Sequence, residues 1–128
     1  KPGEIVGDIT PVKGLMATQY QVGETIATLV AMTSDGNDVF AVAGDYDAKD
    51  YDDASITWSI VGKNDPQHKI KVKFEAQRSS IRGEKYKYGA HTWMIYPNGE
   101  AILIKTAVAK EIAADVYPLT MHLAMYYK

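Results

Sequence analysis

Tyr117-Pro118-Leu119-Thr120-Met121-His122-Leu123-Ala124-Met125-Tyr126-Tyr127 alternates almost without a break. Tyr117, Leu119, Met121, Leu123, Met125 and Tyr127 fall on one side of a period of two. Pro118, Thr120, His122, Ala124 and Tyr126 fall on the other. A period of two over so long a run predicts a half-buried β-strand. Only Lys128 follows it in the sequence. A long apolar strand needs neighbours, because unpaired backbone groups along its edge template association. Its partner is therefore expected to be an earlier strand of the chain or a strand from another molecule.

The rest of the chain supports an all-β reading. Nine Tyr, two Trp and recurrent Val, Ile and Thr supply strong strand formers. Strands are predicted over residues 4–12 (EIVGDITPV), 24–33 (ETIATLVAMT), 39–43 (VFAVA), 55–62 (SITWSIVG), 69–76 (KIKVKFEA), 90–96 (AHTWMIY) and 100–106 (EAILIKT). Pro11 marks the first as an edge strand or one that changes partners. In 69–76, Ile70, Val72, Phe74 and Ala76 face in, and Lys69, Lys71, Lys73 and Glu75 face out. Residues 14–23 read as a connection, 34–38 and 97–99 as turns, 44–54 (GDYDAKDYDDA) as an acidic loop and 78–89 as a basic loop. Residues 107–114 have helical composition between strands and read as a loop or a single helical turn. Seven or eight short strands at ~8–12-residue spacing predict a β-sandwich of immunoglobulin-like type, with residues 1–128 forming one domain.

Composition narrows the function. The net charge of −2 gives no electrostatic case for nucleic acid or an anionic membrane. No apolar run approaches the ~20 residues of a membrane-spanning helix. With no cysteine, disulfides, thiol catalysis and cysteine zinc sites fall away together. Neither a signal peptide nor an initiator Met stands at Lys1, so the chain reads as processed or trimmed. No GxSxG, HExxH, phosphate loop or dinucleotide fingerprint occurs, so neither an enzyme nor a cofactor is expected.

Three groups of side chains invite a functional reading. Asp45, Asp47, Asp50, Asp52 and Asp53 resemble a calcium loop in charge, but the spacing lacks the glycine and the closing bidentate acid of such a site. A solvated loop accounts for them better. Tyr46 and Tyr51 among those acids suit a contact surface, since tyrosine binds at low entropic cost. His68, His91 and His122 lack the spacing of a metal pair on one element, and no metal site is expected. Arg78, Arg82, Lys85 and Lys87 around Ser79-Ser80 offer an anion patch, against the plainer reading of a solvated loop.

Three segments together resemble a known family. They are Val6-Gly7-Asp8-Ile9-Thr10-Pro11-Val12-Lys13-Gly14-Leu15 followed by Ile26-Ala27-Thr28-Leu29-Val30, then Tyr88-Gly89-Ala90-His91-Thr92-Trp93-Met94, and then Ala114-Asp115-Val116-Tyr117-Pro118-Leu119-Thr120. Their order and spacing resemble the subunits of chaperone–usher fimbriae, most closely the Saf-type pilins of enterobacteria. The resemblance covers both ends well and the middle poorly.

It implies an immunoglobulin-like sandwich lacking its final strand, with a groove between the first and last strands. A periplasmic chaperone fills that groove first. The N-terminal extension of a neighbouring pilin subunit then replaces it, after delivery through an outer-membrane usher to a surface fimbrium. Strand addition of this kind takes affinity from backbone bonds and specificity from alternate side chains. On this reading Ile5, Ile9, Leu119, Met121, Leu123 and Met125 line the groove. Tyr46, Tyr51, Arg78, Arg82 and Lys85 are the residues expected to meet a host surface receptor.

Only Lys1-Pro2-Gly3 precede the first predicted strand. The expectation is therefore either a trimmed extension or a tip subunit that receives a strand and gives none. The competing reading is a free-standing immunoglobulin-like module, complete in itself, that binds a carbohydrate or a receptor.

Overall fold

Residues 3–11 and 18–127 are described by a computed structural model. Their regular elements are all strands: β1 (Ile5–Pro11), β2 (Thr18–Tyr20), β3 (Thr25–Thr33), β4 (Val39–Ala43), β5 (Trp58–Val61), β6 (Lys69–Ala76), β7 (Glu84–Tyr88), β8 (His91–Pro97), β9 (Ile102–Thr106), β10 (Lys110–Ile112) and β11 (His122–Met125). One sheet runs β1-β3-β9-β6-β5, a second runs β11-β4-β8-β7, and β10 pairs with β2 in a small third. Every pairing is antiparallel.

The core forms where the period of two turns apolar side chains inward from both large sheets. Leu29, Ala31, Trp58, Ile60, Ile70, Val72, Ile102 and Ile104 come from the five-stranded sheet. Phe40, Val42 and Tyr96 come from the four-stranded sheet. Tyr20 and Ile112 close one end from the small sheet. Phe74 is half-buried between the rings of Trp58 and Tyr96, with centroids 6.2 and 6.5 Å away. Gly44, just after β4, is required by packing, since a side chain there would run into the Trp58 ring.

The acidic loop stitches the two large sheets together. Asp50 accepts the backbone N–H of Ser59 on β5 at 2.8 Å. Asp53 accepts the backbone N–H and hydroxyl of Thr92 on β8 at 2.8 and 2.7 Å, and the Tyr51 hydroxyl at 3.0 Å. Burial works to raise the Asp53 pKa, but these bonds and Lys87 hold it down at about 2. Desolvation and the Asp53 carboxylate both push the Tyr51 phenol up.

The strand map needs three corrections. The basic loop of residues 78–89 contains β7, which pairs with β8 along its whole length. All of its residues are exposed, so no inward apolar series announces it. The stretch 107–114 holds β10 rather than a helical turn, and the connection 14–23 holds its partner β2. The long terminal strand is regular only over β11, while residues 113–121 run outside any ladder among the described residues. Their burial still alternates, with Tyr117, Leu119 and Met121 half-buried and Pro118 and Thr120 exposed. Val12, the residues 12–15 of the first quoted motif and the start of the 14–23 connection lie outside the described residues.

Candidate functional site: two free strand edges and the gap between them

β1 and β11 each border a large sheet, and among the described residues each has a partner on one side only. β1 pairs with β3. β11 pairs with β4. In the register of β1, Ile5, Gly7 and Ile9 share a face with Thr33, Ala31 and Leu29, which are core positions. In the register of β11, Leu123 and Met125 lie opposite Val42 and Phe40, also core positions. The inward faces of the two edges therefore look onto the same interior from different sheets.

Gly7 decides how the gap is filled. A side chain at Gly7 would collide with Leu123 Cδ1, so the absence of a Cβ lets Leu123 lie across β1. The same position sits 3.2 Å from Leu29 Cδ1. Ile5, Ile9, Leu119, Met121 and Leu123 are all partly buried against the core. Met125 is also half-buried and borders a recess of about 240 Å³ with Ala41, Tyr86, Tyr88, Trp93, Ala124 and Tyr126. The arrangement offers two rows of backbone donors and acceptors flanking a seam of large, flexible apolar side chains. Methionine suits such a seam because it repacks readily.

The approach to β11 is fixed by one carboxylate. The Asp115 side chain is fully buried. It accepts the backbone N–H groups of Asn64 and Asp65, each at 3.0 Å, and of Val116 at 2.6 Å, and bonds His68 Nδ1 at 2.9 Å. Lys63 N–H donates back to the Val116 carbonyl at 2.8 Å. The Tyr117 hydroxyl donates to the Ala113 carbonyl at 2.6 Å. These bonds tie residues 113–117 to the β5–β6 turn, which explains why the stretch before β11 is extended yet outside any ladder. At the other end of β11, Asn37 Nδ2 donates to the Tyr126 carbonyl at 2.7 Å, and the Tyr127 hydroxyl to Asp35 at 3.0 Å.

Burial acts to raise the Asp115 pKa, but the convergent hydrogen bonds overcome it and hold the group well below the usual carboxylate range. A depressed pKa contributes stability that is present above the unfolded value of ~3.9 and lost as pH falls below it. Asp115→Asn is therefore expected to lower Tm at pH 7, with the difference from the parent shrinking as pH drops below ~4. Thermal melts between pH 7 and pH 2 check this, and a pH-independent gap would refute it.

The five residues expected to meet a receptor occupy different settings. Tyr46 is stacked between His91 and His122, at centroid distances of 3.8 and 4.0 Å, and meets Tyr51 edge-on at 6.5 Å. Arg78 forms an ion pair of 2.7 Å with Glu100. Arg82 borders an open recess with Glu75, Gln77 and Lys105. Lys85 is exposed on β7. Sequence reasoning missed two features: the role of Gly7, and the convergence of His122 with the acidic loop. The only prior signal for the first was a glycine at an inward position of a strand.

Known proteins bear on the family and the fold. A family model described as "Saf-pilin pilus formation protein" matches residues 1–128. The fold is similar to that of the Salmonella SafD adhesin, with a TM-score of 0.72 and 16% identity, over 97% of this chain and 88% of that one. It is similar to the E. coli Hda pilus minor tip subunit HdaB, with a TM-score of 0.73 and 13% identity, over 97% and 84%. It is also similar to the CssB subunit of enterotoxigenic E. coli colonization factor CS6, solved complemented with a donor strand from CssA, with a TM-score of 0.68 and 10% identity, over 94% and 82%. No curated protein matches the chain in sequence. With a family match across all 128 residues and a strand-deficient sandwich beneath it, the chain belongs to the Saf-pilin family of pilus-formation proteins.

Proposed function

We propose that the chain is an acceptor subunit of a chaperone–usher fimbrium, completed by a strand from a neighbouring subunit laid between β1 and β11. One observation carries this reading. Two core-facing strand edges from different sheets flank one seam, and Leu123 lies across it over Gly7. A donor strand would hydrogen-bond along these edges and seat alternate side chains on Ile5, Ile9, Leu119, Met121, Leu123 and Met125. In the free chain Leu123 occupies the space such a side chain needs, so uptake involves moving Leu123 off Gly7.

A periplasmic chaperone would hold the groove before assembly, and an outer-membrane usher would pass the subunit to the cell surface. The role is mechanical and adhesive rather than catalytic. Tyr46, Tyr51, Arg78, Arg82 and Lys85 remain the residues proposed for receptor contact, on the ground that loops and edges of a rigid scaffold carry recognition.

The test uses the full chain and synthetic peptides of alternating apolar residues. A one-to-one complex with a raised Tm and newly protected amides on both β1 and β11 is expected. If those amides are protected in the free monomer and no peptide changes them, the acceptor reading fails. Mixing the chaperone-bound subunit with a second copy of itself also reads position in the fibre: self-made fibres exclude a tip role.

A further inference from the structure

We propose that Asp45, Asp47 and His122 form a binding site for a divalent transition-metal cation of the zinc type, clamping the acidic loop onto β11. One ligand atom from each residue lies within 4.8 Å of the other two. The cluster joins parts of the chain that are far apart in sequence. A second, independent observation points the same way. His122 Nε2 is buried and has no hydrogen-bond partner among the described residues. A buried polar atom without a partner is uncommon and calls for an explanation such as a bound ion.

The packing presets the ligands. His122 lies flat against Tyr46, with an interplanar angle of 11° and centroids 4.0 Å apart. Tyr46 sits between the two aspartates in sequence, so the contact that orients the imidazole also brings both carboxylates to it. The Asp47 N–H donates to Asp45 Oδ1 at 3.2 Å, fixing the turn that carries them. Asp45 and Asp47 both border an open cleft of about 560 Å³. The exposed Asp47 side chain is free of packing that would prevent it from closing onto an ion.

The donor set selects the class of ion. One imidazole nitrogen with two carboxylate oxygens suits zinc and its first-row neighbours. Calcium and magnesium prefer shells built from oxygen alone. Three protein ligands leave a coordination position for water or for a group from another molecule.

The experiment titrates the untagged full chain with Zn²⁺, and separately with Ca²⁺ and Mg²⁺, by calorimetry and thermal melts. One Zn²⁺ per chain and a raised Tm are expected, with no comparable response to Ca²⁺ or Mg²⁺. Asp47→Asn and His122→Gln should each weaken zinc binding ~10-fold or more, as loss of one of three protein ligands implies. Asp52→Asn, an acid of the same loop outside the trio, should leave it unchanged. Because Asp47 is exposed, its variant tests the site even if His122→Gln folds poorly. Zinc binding no tighter than calcium binding, or an equal loss in Asp52→Asn, would overturn the proposal.

Discussion

Leu123→Asp is expected to abolish uptake of a donor strand while the two large sheets stay folded. Leu123 lies partly buried across β1, packed over Gly7 and opposite Val42, at the centre of the proposed acceptor seam. Seating a donor would bury several large apolar side chains there, each worth ~1.5–3 kcal/mol. A carboxylate in the same place loses its own share and must be desolvated without a partner, which costs several kcal/mol. A combined loss of about 4 kcal/mol corresponds to a thousandfold weaker complex. Thr120→Asp, on the exposed side of the same alternation, should leave binding near the parent value. Calorimetry with a complementing peptide, alongside far-UV circular dichroism, separates lost binding from lost folding. Equal affinity in Leu123→Asp and the parent would place the acceptor seam elsewhere.

Trp58→Ala is expected to remove ~3–5 kcal/mol of stability, the range for deleting a large buried aromatic. Trp58 is 1% exposed and is one of the largest fully buried side chains. Its ring sits against Gly44 and beside Phe74, so neither backbone nor side chains can collapse simply into the cavity. Against a typical domain stability of ~5–15 kcal/mol, that loss is a large fraction of the total. Urea melts should show a lowered midpoint with an unchanged slope. Trp58→Phe should fall between the two. A loss below ~1 kcal/mol for Trp58→Ala would mean that Trp58 does not hold the sheets together.

The sandwich was legible wherever one face of a strand is buried. In β4 and β6 the expected bounds match those observed, because Phe40, Val42, Ile70 and Val72 alternate with less buried neighbours or lie within a continuous apolar run. Where burial does not alternate, the pattern is silent. β7 reads Glu-Lys-Tyr-Lys-Tyr and is exposed throughout, so its alternating tyrosines mark no buried face. The stretch before β11 shows the opposite failure. Its apolar alternation is real, but Asp115 and the absent N–H of Pro118 direct the backbone out of the ladder.

The six expected groove residues follow from periodicity and from the family resemblance. Gly7 does not, because the need for a missing side chain shows only once Leu123 is in place. The approach of His122 to Asp45 and Asp47 is likewise invisible to spacing rules, which count ligands along one element.

The far edges of the two large sheets, β5 and β7, bear on where the molecule can join its neighbours. β5 ends the five-stranded sheet, and Asp50 already occupies the Ser59 N–H that an added strand would need. β7 ends the four-stranded sheet and carries Glu84, Lys85 and Lys87, charges that discourage flat pairing with another strand. Among the described residues, the far edges of the two large sheets are thus less open to an added strand than β1 and β11. On the proposed acceptor reading, the Asp50 carboxylate helps to confine strand addition to the flank that carries Leu123.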